Sequence, residues 1–190
     1  MNPLEIIAVA LGLANIVLLV RRSIWNFPFG IAMVSLYAVI FTQQRLYAEA
    51  ALQVFFAVVQ LYGWSLWSRA RADDAPVTVR WLAWPGRVAW VLFIGLATLI
   101  IGSAMARWTD AASPYPDAFI AAASIAAQFL LSFRRIENWA LWIVIDIAAI
   151  ALYTVRDLHL TATLYAVFLV LSVLGLREWA AARREGEAKA

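Results

Sequence analysis

Cysteine is absent from the chain, histidine and lysine occur once each (His159 and Lys189), and charged residues fill only 14% of the 190 positions. Without cysteine there is no disulfide, no thiol chemistry and no Cys/His zinc site. A retinal-binding seven-helix protein needs a buried lysine for its Schiff base, and Lys189 lies in the C-terminal tail. Neither HExxH nor GxSxG occurs, and no second deep carboxylate is available for acid–base work, which argues against an intramembrane enzyme. The low charge also argues against a soluble domain, which would be about a quarter charged. The first residues, "MNPLEIIAVALGLANIVLLVRR", lack a basic stretch ahead of the apolar run, so no cleavable signal is expected.

What is present is apolar. Hydrophobic residues make up 65%, ten of them tryptophan, and the mean hydropathy is +0.80. The net charge of +3 would hint at nucleic acid in a soluble protein. Here the expected partner is a lipid bilayer, with no nucleic acid. Runs near bilayer length, ~17–25 residues, fall at 4–20, 24–42, 47–68, 88–106, 116–133, 138–155 and 160–181. Unpaired backbone is not tolerated in lipid, so each run should be helical. The connections after spans one, three and five, with the tail, hold Arg21, Arg22, Arg69, Arg71, Arg80, Arg87, Arg134, Arg135, Arg177, Arg183, Arg184 and Lys189. The opposite side holds Arg45, Arg107 and Arg156. Basic residues concentrate in cytoplasmic loops, which puts the N-terminus outside and the C-terminus inside. The loop "SRARADDAPVTVRWLAWPGR" reads as a cytoplasmic linker with an interfacial tryptophan pair, Trp81 and Trp84.

Residues 22–67 align without gaps on residues 134–179. Arg22 meets Arg134, Asn26 meets Asn138, Gly63 meets Gly175 and Trp67 meets Trp179. Apolar matches are common between membrane helices, but these four pairs keep one register. The expected fold is all-α and integral to the membrane. It has seven transmembrane helices in a 3+1+3 parallel repeat, the plan of SWEET-type transporters, whose sites lie near the midplane. The expected divisions are a first three-helix repeat over 1–68, a loop and inverting helix over 69–107, a second repeat over 108–181 and a cytoplasmic tail over 182–190.

Polar residues inside the spans mark the candidate site. In span three, Gln53, Phe56, Gln60, Gly63, Trp64 and Trp67 recur at helical spacing and should share one face. Trp67 and Trp179 both fall at the cytoplasmic end, where a membrane-interface anchor is expected. In span six, Trp139, Trp142, Asp146 and Tyr153 line one face, with Asn138 beside Trp139. Asp146 is the one ionisable group well away from the helix ends. A charge at a helix centre costs about 2.5 kcal/mol or more. Asp146 is therefore protonated, hydrogen-bonded to neutral donors such as an indole or glutamine, or faces a cation from outside the protein. Rings beside a carboxylate suit a flat cationic ring, through an attraction of up to ~2 kcal/mol. Gln128 in span five and Asn26 in span two add amides that can bond a carboxamide or sugar hydroxyls, or tie helices together.

The stretches "WNFPFG", "LYAEAALQVFF…QLYGWSLW", "AAQFLLSFRRIENWALWIVIDIAAIALY" and "LYAVFLVLSVLG" resemble the PnuC family of bacterial vitamin transporters. The resemblance covers residues 21–179, and "RRIENWALWIVID" with its WxxW pair, Trp139 and Trp142, is its most specific part. It implies facilitated diffusion of nicotinamide riboside, with thiamine and riboflavin carriers as relatives. It also implies a location in the bacterial inner membrane, no cofactor, a homo-oligomer such as a trimer, and a cytoplasmic kinase that traps the vitamin by phosphorylation. The substrate contacts it implies are Trp139, Asn138 and Trp142, joined by Gln53, Gln60 and Gln128, with Tyr153 along the path. Where the family often has Asp in "LYAD", this chain has Glu49. A SWEET-like sugar carrier and a non-transporting vitamin receptor are the alternatives.

Overall fold

A computed structural model describes residues 3–43, 47–70, 78–110, 112–155 and 159–188. Arg45, Arg71, Arg156 and Lys189 lie outside them, and the side chain of Glu49 is not described. Seven helices occur among the described residues: α1 (Pro3–Val20), α2 (Asn26–Gln43), α3 (Tyr47–Ala70), α4 (Trp84–Trp108), α5 (Pro114–Ser132), α6 (Glu137–Val155) and α7 (His159–Ala188). By length and composition, α2, α4, α6 and residues 162–186 of α7 are long and apolar enough to cross a membrane. The helices follow the apolar runs closely, with one clear exception. Helix α7 continues past the last apolar residues through "REWAAARREGEA", because Ala, Arg and Glu are strong helix formers in water as well as in lipid.

The caps explain where helices stop. Helix α4 starts at a Trp-Pro step, where the missing proline N–H costs nothing. It ends at Thr109, whose N–H and hydroxyl both donate to the Met105 carbonyl, at 3.0 and 2.7 Å. Helices α1 and α5 end alike. Arg22 and Arg134 adopt left-handed conformations, with φ of 55° and 59°. Arg22 N–H donates to Leu19 O at 2.9 Å and Ser23 N–H to Leu18 O at 2.9 Å. Arg134 N–H donates to Leu131 O and Arg135 N–H to Leu130 O, both at 2.8 Å. This is the Schellman closure, here with arginine where glycine is usual. A left-handed non-glycine residue costs about 1–2 kcal/mol, so both turns need support from packing.

Two compact units divide the chain. One comprises Met1–Val79, Leu131–Arg134 and Arg177–Ala190; the other comprises Arg80–Leu130 and Arg135–Leu176. In the first unit α1 packs on α2 and α2 on α3. Its centre is aromatic: Phe27 meets Trp67 edge-on at 5.3 Å between centroids, and Trp67 meets Trp179 at 5.8 Å. Both tryptophans are completely buried, contrary to the interface-anchor expectation. At each helix end the indole N–H adds a second bond to a carbonyl that the left-handed turn already caps. Trp67 Nε1 donates to Leu131 O at 3.3 Å and Trp179 Nε1 to Leu19 O at 3.1 Å.

The second unit is built on an alanine stripe. Ala122, Ala123, Ala126 and Ala127 of α5 are buried with Ile94 of α4 and Ile145 of α6. Small side chains let helix backbones approach closely in a membrane protein. The opposite face of α4 exposes Val91, Leu92, Leu96, Leu99 and Ile100, each at 60% or more. An apolar face of this size is suited to lipid.

Candidate functional site

Helix α6 presents the expected face. At about 100° per residue, Asn138, Trp139, Trp142, Ile145, Asp146, Ala149 and Tyr153 fall within one arc, while Val144 and Ile147 on the other side are exposed. Trp139 is 1% exposed and lies flat against Gly175 of α7. A Cβ at residue 175 would sit 2.5 Å from its ring, so only glycine leaves room for the indole. Trp142 is half-buried, one turn before Asp146, against the alanine stripe. Tyr153 stacks at a tilt on Tyr165, 5.4 Å between centroids. Gln128 of α5 is buried in the same unit.

Asp146 is 3% exposed. Its one hydrogen bond among the described residues comes from Ser172 Oγ of α7, which donates to Oδ2 at 3.0 Å. No Arg, Lys or His pairs with it among the described residues. A buried carboxylate without a counter-ion carries a desolvation penalty of several kcal/mol if charged. Sequence reasoning looked to indole or glutamine donors and missed Ser172. The signal available was the repeat register, which sets Ser172 opposite another buried polar residue, Gln60.

Asn138 is fully buried and its Nδ2 donates to Arg135 O at 2.6 Å, while Oδ1 has no partner among the described residues. Asn26 does the same in the first unit, with Nδ2 donating to Ser23 O at 2.7 Å. Both amides thus lock the turn before their helix. The other first-unit candidates are spread. Gln60 is buried with its Oε1 against Gly30, beside Asn15, whose Nδ2 donates to Asn26 O at 2.6 Å. Gln53 is half-buried. Trp64 is 36% exposed, whereas Gly63 and Trp67 are buried. The buried arc of α3 also takes in Val59 and so centres nearer Gly63, leaving Trp64 at its edge.

A second cluster was not anticipated. Glu137, the first residue of α6, receives Leu82 N–H on both carboxylate oxygens, at 2.9 and 3.0 Å. Arg87 of α4 donates Nε to Oε1 at 2.8 Å and places Nη2 at 2.8 Å from it. The Arg87 guanidinium lies 5.6 Å from the Trp81 ring centre. Ile136 N–H donates to Arg80 O at 3.1 Å. The stretch after the polar linker is therefore clasped to the start of the helix that carries Trp142 and Asp146. Glu137 stands in the sequence as an ordinary helix-start acid, and its partners 50 and 55 residues away leave no local trace.

The family model described as "Nicotinamide mononucleotide transporter" matches residues 2–181. The nicotinamide riboside transporter PnuC of Escherichia coli K12 is 29% identical, over 98% of this chain and 89% of its own length. PnuC of Neisseria mucosa is 31% identical, over 94% of this chain and 73% of its own. The riboflavin/roseoflavin transporter RibM of Streptomyces davaonensis is 27% identical, over 89% and 80%. A crystal structure of the vitamin B3 transporter PnuC superposes with a TM-score of 0.77 at 28% identity, covering 97% of this chain and 84% of that one. A multi-pass membrane protein with these helices and a family match along nearly its whole length belongs to the PnuC family of nicotinamide mononucleotide transporters.

Proposed function

We propose that the chain carries nicotinamide riboside inward across the bacterial inner membrane by facilitated diffusion. The observation that carries this reading is Asp146: a buried carboxylate one turn from Trp142, with a neutral hydroxyl as its one hydrogen-bond partner among the described residues. The pyridinium ring of nicotinamide riboside supplies a flat cation. It would stack on Trp142 and face Asp146, each contact stronger for lying out of water. Gln128 offers an amide to the carboxamide or ribose, and Tyr153 lies further along the same helix face. Gln53, Gln60 and Trp64 are proposed as contacts from their sequence spacing. Asn26, Asn138 and Trp139 are assigned the support of this surface, since both amide nitrogens bond backbone carbonyls and the indole ring lies on Gly175. The relatives that carry nicotinamide riboside support the choice of substrate.

In this reading all seven helices cross the bilayer, as two like-oriented triplets joined by α4, with the N-terminus outside and the C-terminus inside. The carrier works as a homo-oligomer, a trimer being the state to test by native mass spectrometry. Equilibration needs no coupling ion, so net uptake depends on a cytoplasmic kinase that phosphorylates the vitamin. The second reading is a riboflavin carrier, favoured by the RibM relative and disfavoured by Asp146, since riboflavin is neutral. The test is a calorimetric titration of purified protein with nicotinamide riboside, thiamine and riboflavin, followed by uptake into proteoliposomes. The expected result is tightest binding of nicotinamide riboside and uptake that stops at equal concentrations inside and out. Binding of riboflavin alone, or of a sugar and no vitamin, refutes it.

A further inference from the structure

We propose that Ser172 is a specificity-determining residue: its hydroxyl holds the Asp146 carboxylate in the orientation that distinguishes a positively charged heteroaromatic ring from the same ring without charge. The inference rests on the functional reading above and names the part of the site that reads charge.

Three observations carry it. Ser172 and Asp146 are 5% and 3% exposed and bonded to each other across α7 and α6. A serine hydroxyl can fix one carboxylate oxygen without neutralising it, where an arginine or lysine would cancel the charge a cationic ligand needs. The other carboxylate oxygen has no hydrogen-bond partner among the described residues.

The third observation is an asymmetry between the sequence repeats. In the gapless register, Trp142, Asp146 and Ser172 correspond to Gly30, Val34 and Gln60. Gln60 lies on Gly30 so closely that a Cβ there would collide with its Oε1, and Val34 is 2% exposed. The first repeat thus fills this place with its own amide and an apolar side chain. In the second repeat a ring, a carboxylate and a hydroxyl stand there. Charge reading is therefore confined to the second repeat, and Ser172 takes the place of the Gln60 amide that closes the first.

The competing role for Ser172 is a plain tie between α6 and α7, which would affect every ligand alike. The test uses two ligands that differ in ring charge, nicotinamide riboside and its neutral dihydro form. Both are titrated calorimetrically against the whole chain and against Ser172→Ala and Ser172→Thr. The wild-type chain is expected to prefer the cation. Ser172→Ala should lower that preference roughly tenfold, the lower end of what a hydrogen bond to a charged group contributes. Ser172→Thr keeps the hydroxyl and should hold the preference within about twofold. Ser172→Cys, a near-isostere with a weak donor, should move the preference in the direction of Ser172→Ala and serves if the alanine variant does not fold. Equal weakening of both ligands by Ser172→Ala overturns the proposal. If the folded wild-type chain binds neither ligand, the transport reading fails too, an outcome distinct from equal weakening.

Discussion

Removing Glu137 should loosen the clasp that joins the linker to α6, and the size of the effect follows from its contacts. The carboxylate takes the Leu82 N–H on both oxygens and two nitrogens of Arg87, all between 2.8 and 3.0 Å. The Glu137 side chain is 14% exposed and that of Arg87 is 40% exposed. Because Arg87 reaches solvent, its share is discounted to at most ~1 kcal/mol. The backbone bond to a largely buried charged acceptor contributes more, ~1.5–3 kcal/mol. Glu137→Ala should therefore cost ~2–4 kcal/mol and Arg87→Ala ~1 kcal/mol. The double variant should fall short of their sum by about the ion-pair share, since each single change already breaks the pair. Glu137→Gln keeps an acceptor for Leu82 N–H and should lose about half as much as Glu137→Ala. Unfolding in mixed micelles, followed by tryptophan emission with and without 1 M salt, gives all four values. Salt should weaken the wild-type chain and Glu137→Gln unequally, because only the former carries the ion pair. A Glu137→Ala cost below ~0.5 kcal/mol, or strict additivity with Arg87→Ala, would refute the clasp as a stabilising feature.

Asp146→Asn should weaken nicotinamide riboside binding by ~2–3 kcal/mol, scaled down from a charge pair ~4–5 Å apart at an effective dielectric of ~20. Riboflavin binding should hardly change, and equal losses in calorimetry would count against a charge-reading role. Gly175→Ala places a methyl 2.5 Å from the buried Trp139 ring and should destabilise by ~1–3 kcal/mol. Gly95→Ala meets nothing within 4 Å in mid-helix and should stabilise by ~0.5–1 kcal/mol; thermal unfolding of the two should move in opposite directions. Trp67→Phe and Trp179→Phe each remove an indole donor from a helix-end carbonyl that keeps its turn N–H partner and should cost ~0.5–1.5 kcal/mol apiece, a coupled loss in the double variant being read from a double-mutant cycle. Because the chain has no cysteine, a single cysteine placed at Ser113 or at Glu185 can be labelled alone. A membrane-impermeant maleimide added to whole cells should reach the first and not the second, and the reverse pattern would invert the proposed orientation.

The helices were legible because hydrophobic length alone marks them, and the turns left their trace as the repeated Arg-x-Ile-x-Asn spacing at 22–26 and 134–138. The buried face of α6 was legible too, since a period of 3.6 puts Trp139, Trp142, Asp146 and Tyr153 on one side. What stayed hidden needed knowledge of which helices touch. Trp67 and Trp179 sit at helix ends and look like interface anchors, because the carbonyls they serve belong to Leu131 and Leu19, far away in sequence. Ser172 looks like an ordinary small residue of a packed helix until α6 is set beside it. Trp64 follows the period of Gln60, yet the neighbouring helices bury the side of α3 that it does not occupy.

Set in register, the two sequence repeats share their scaffolding and differ in their chemistry. The Schellman turns at Arg22 and Arg134, the Asn26 and Asn138 amides on the turn carbonyls, and the indole bonds of Trp67 and Trp179 each recur at matching positions. So does the close approach of Gly63 to Phe27 and of Gly175 to Trp139. By contrast Trp142, Asp146, Tyr153 and Ser172 stand opposite Gly30, Val34, Phe41 and Gln60. An interaction that holds the backbone is needed wherever the same backbone occurs, so it recurs with the repeat. A residue that meets a ligand lacking twofold symmetry has no reason to recur. On this criterion we propose that Asn138 and Trp139 belong with the scaffold and Trp142 with the site. It follows that Trp139→Ala should lower stability by ~3–5 kcal/mol, as expected for a buried aromatic. Trp142→Ala, at a half-buried position, should weaken ligand binding by ~1–2 kcal/mol with a smaller loss of stability. A folded, stable Trp139→Ala protein that fails to bind ligand would reverse the assignment and return Trp139 to the binding surface.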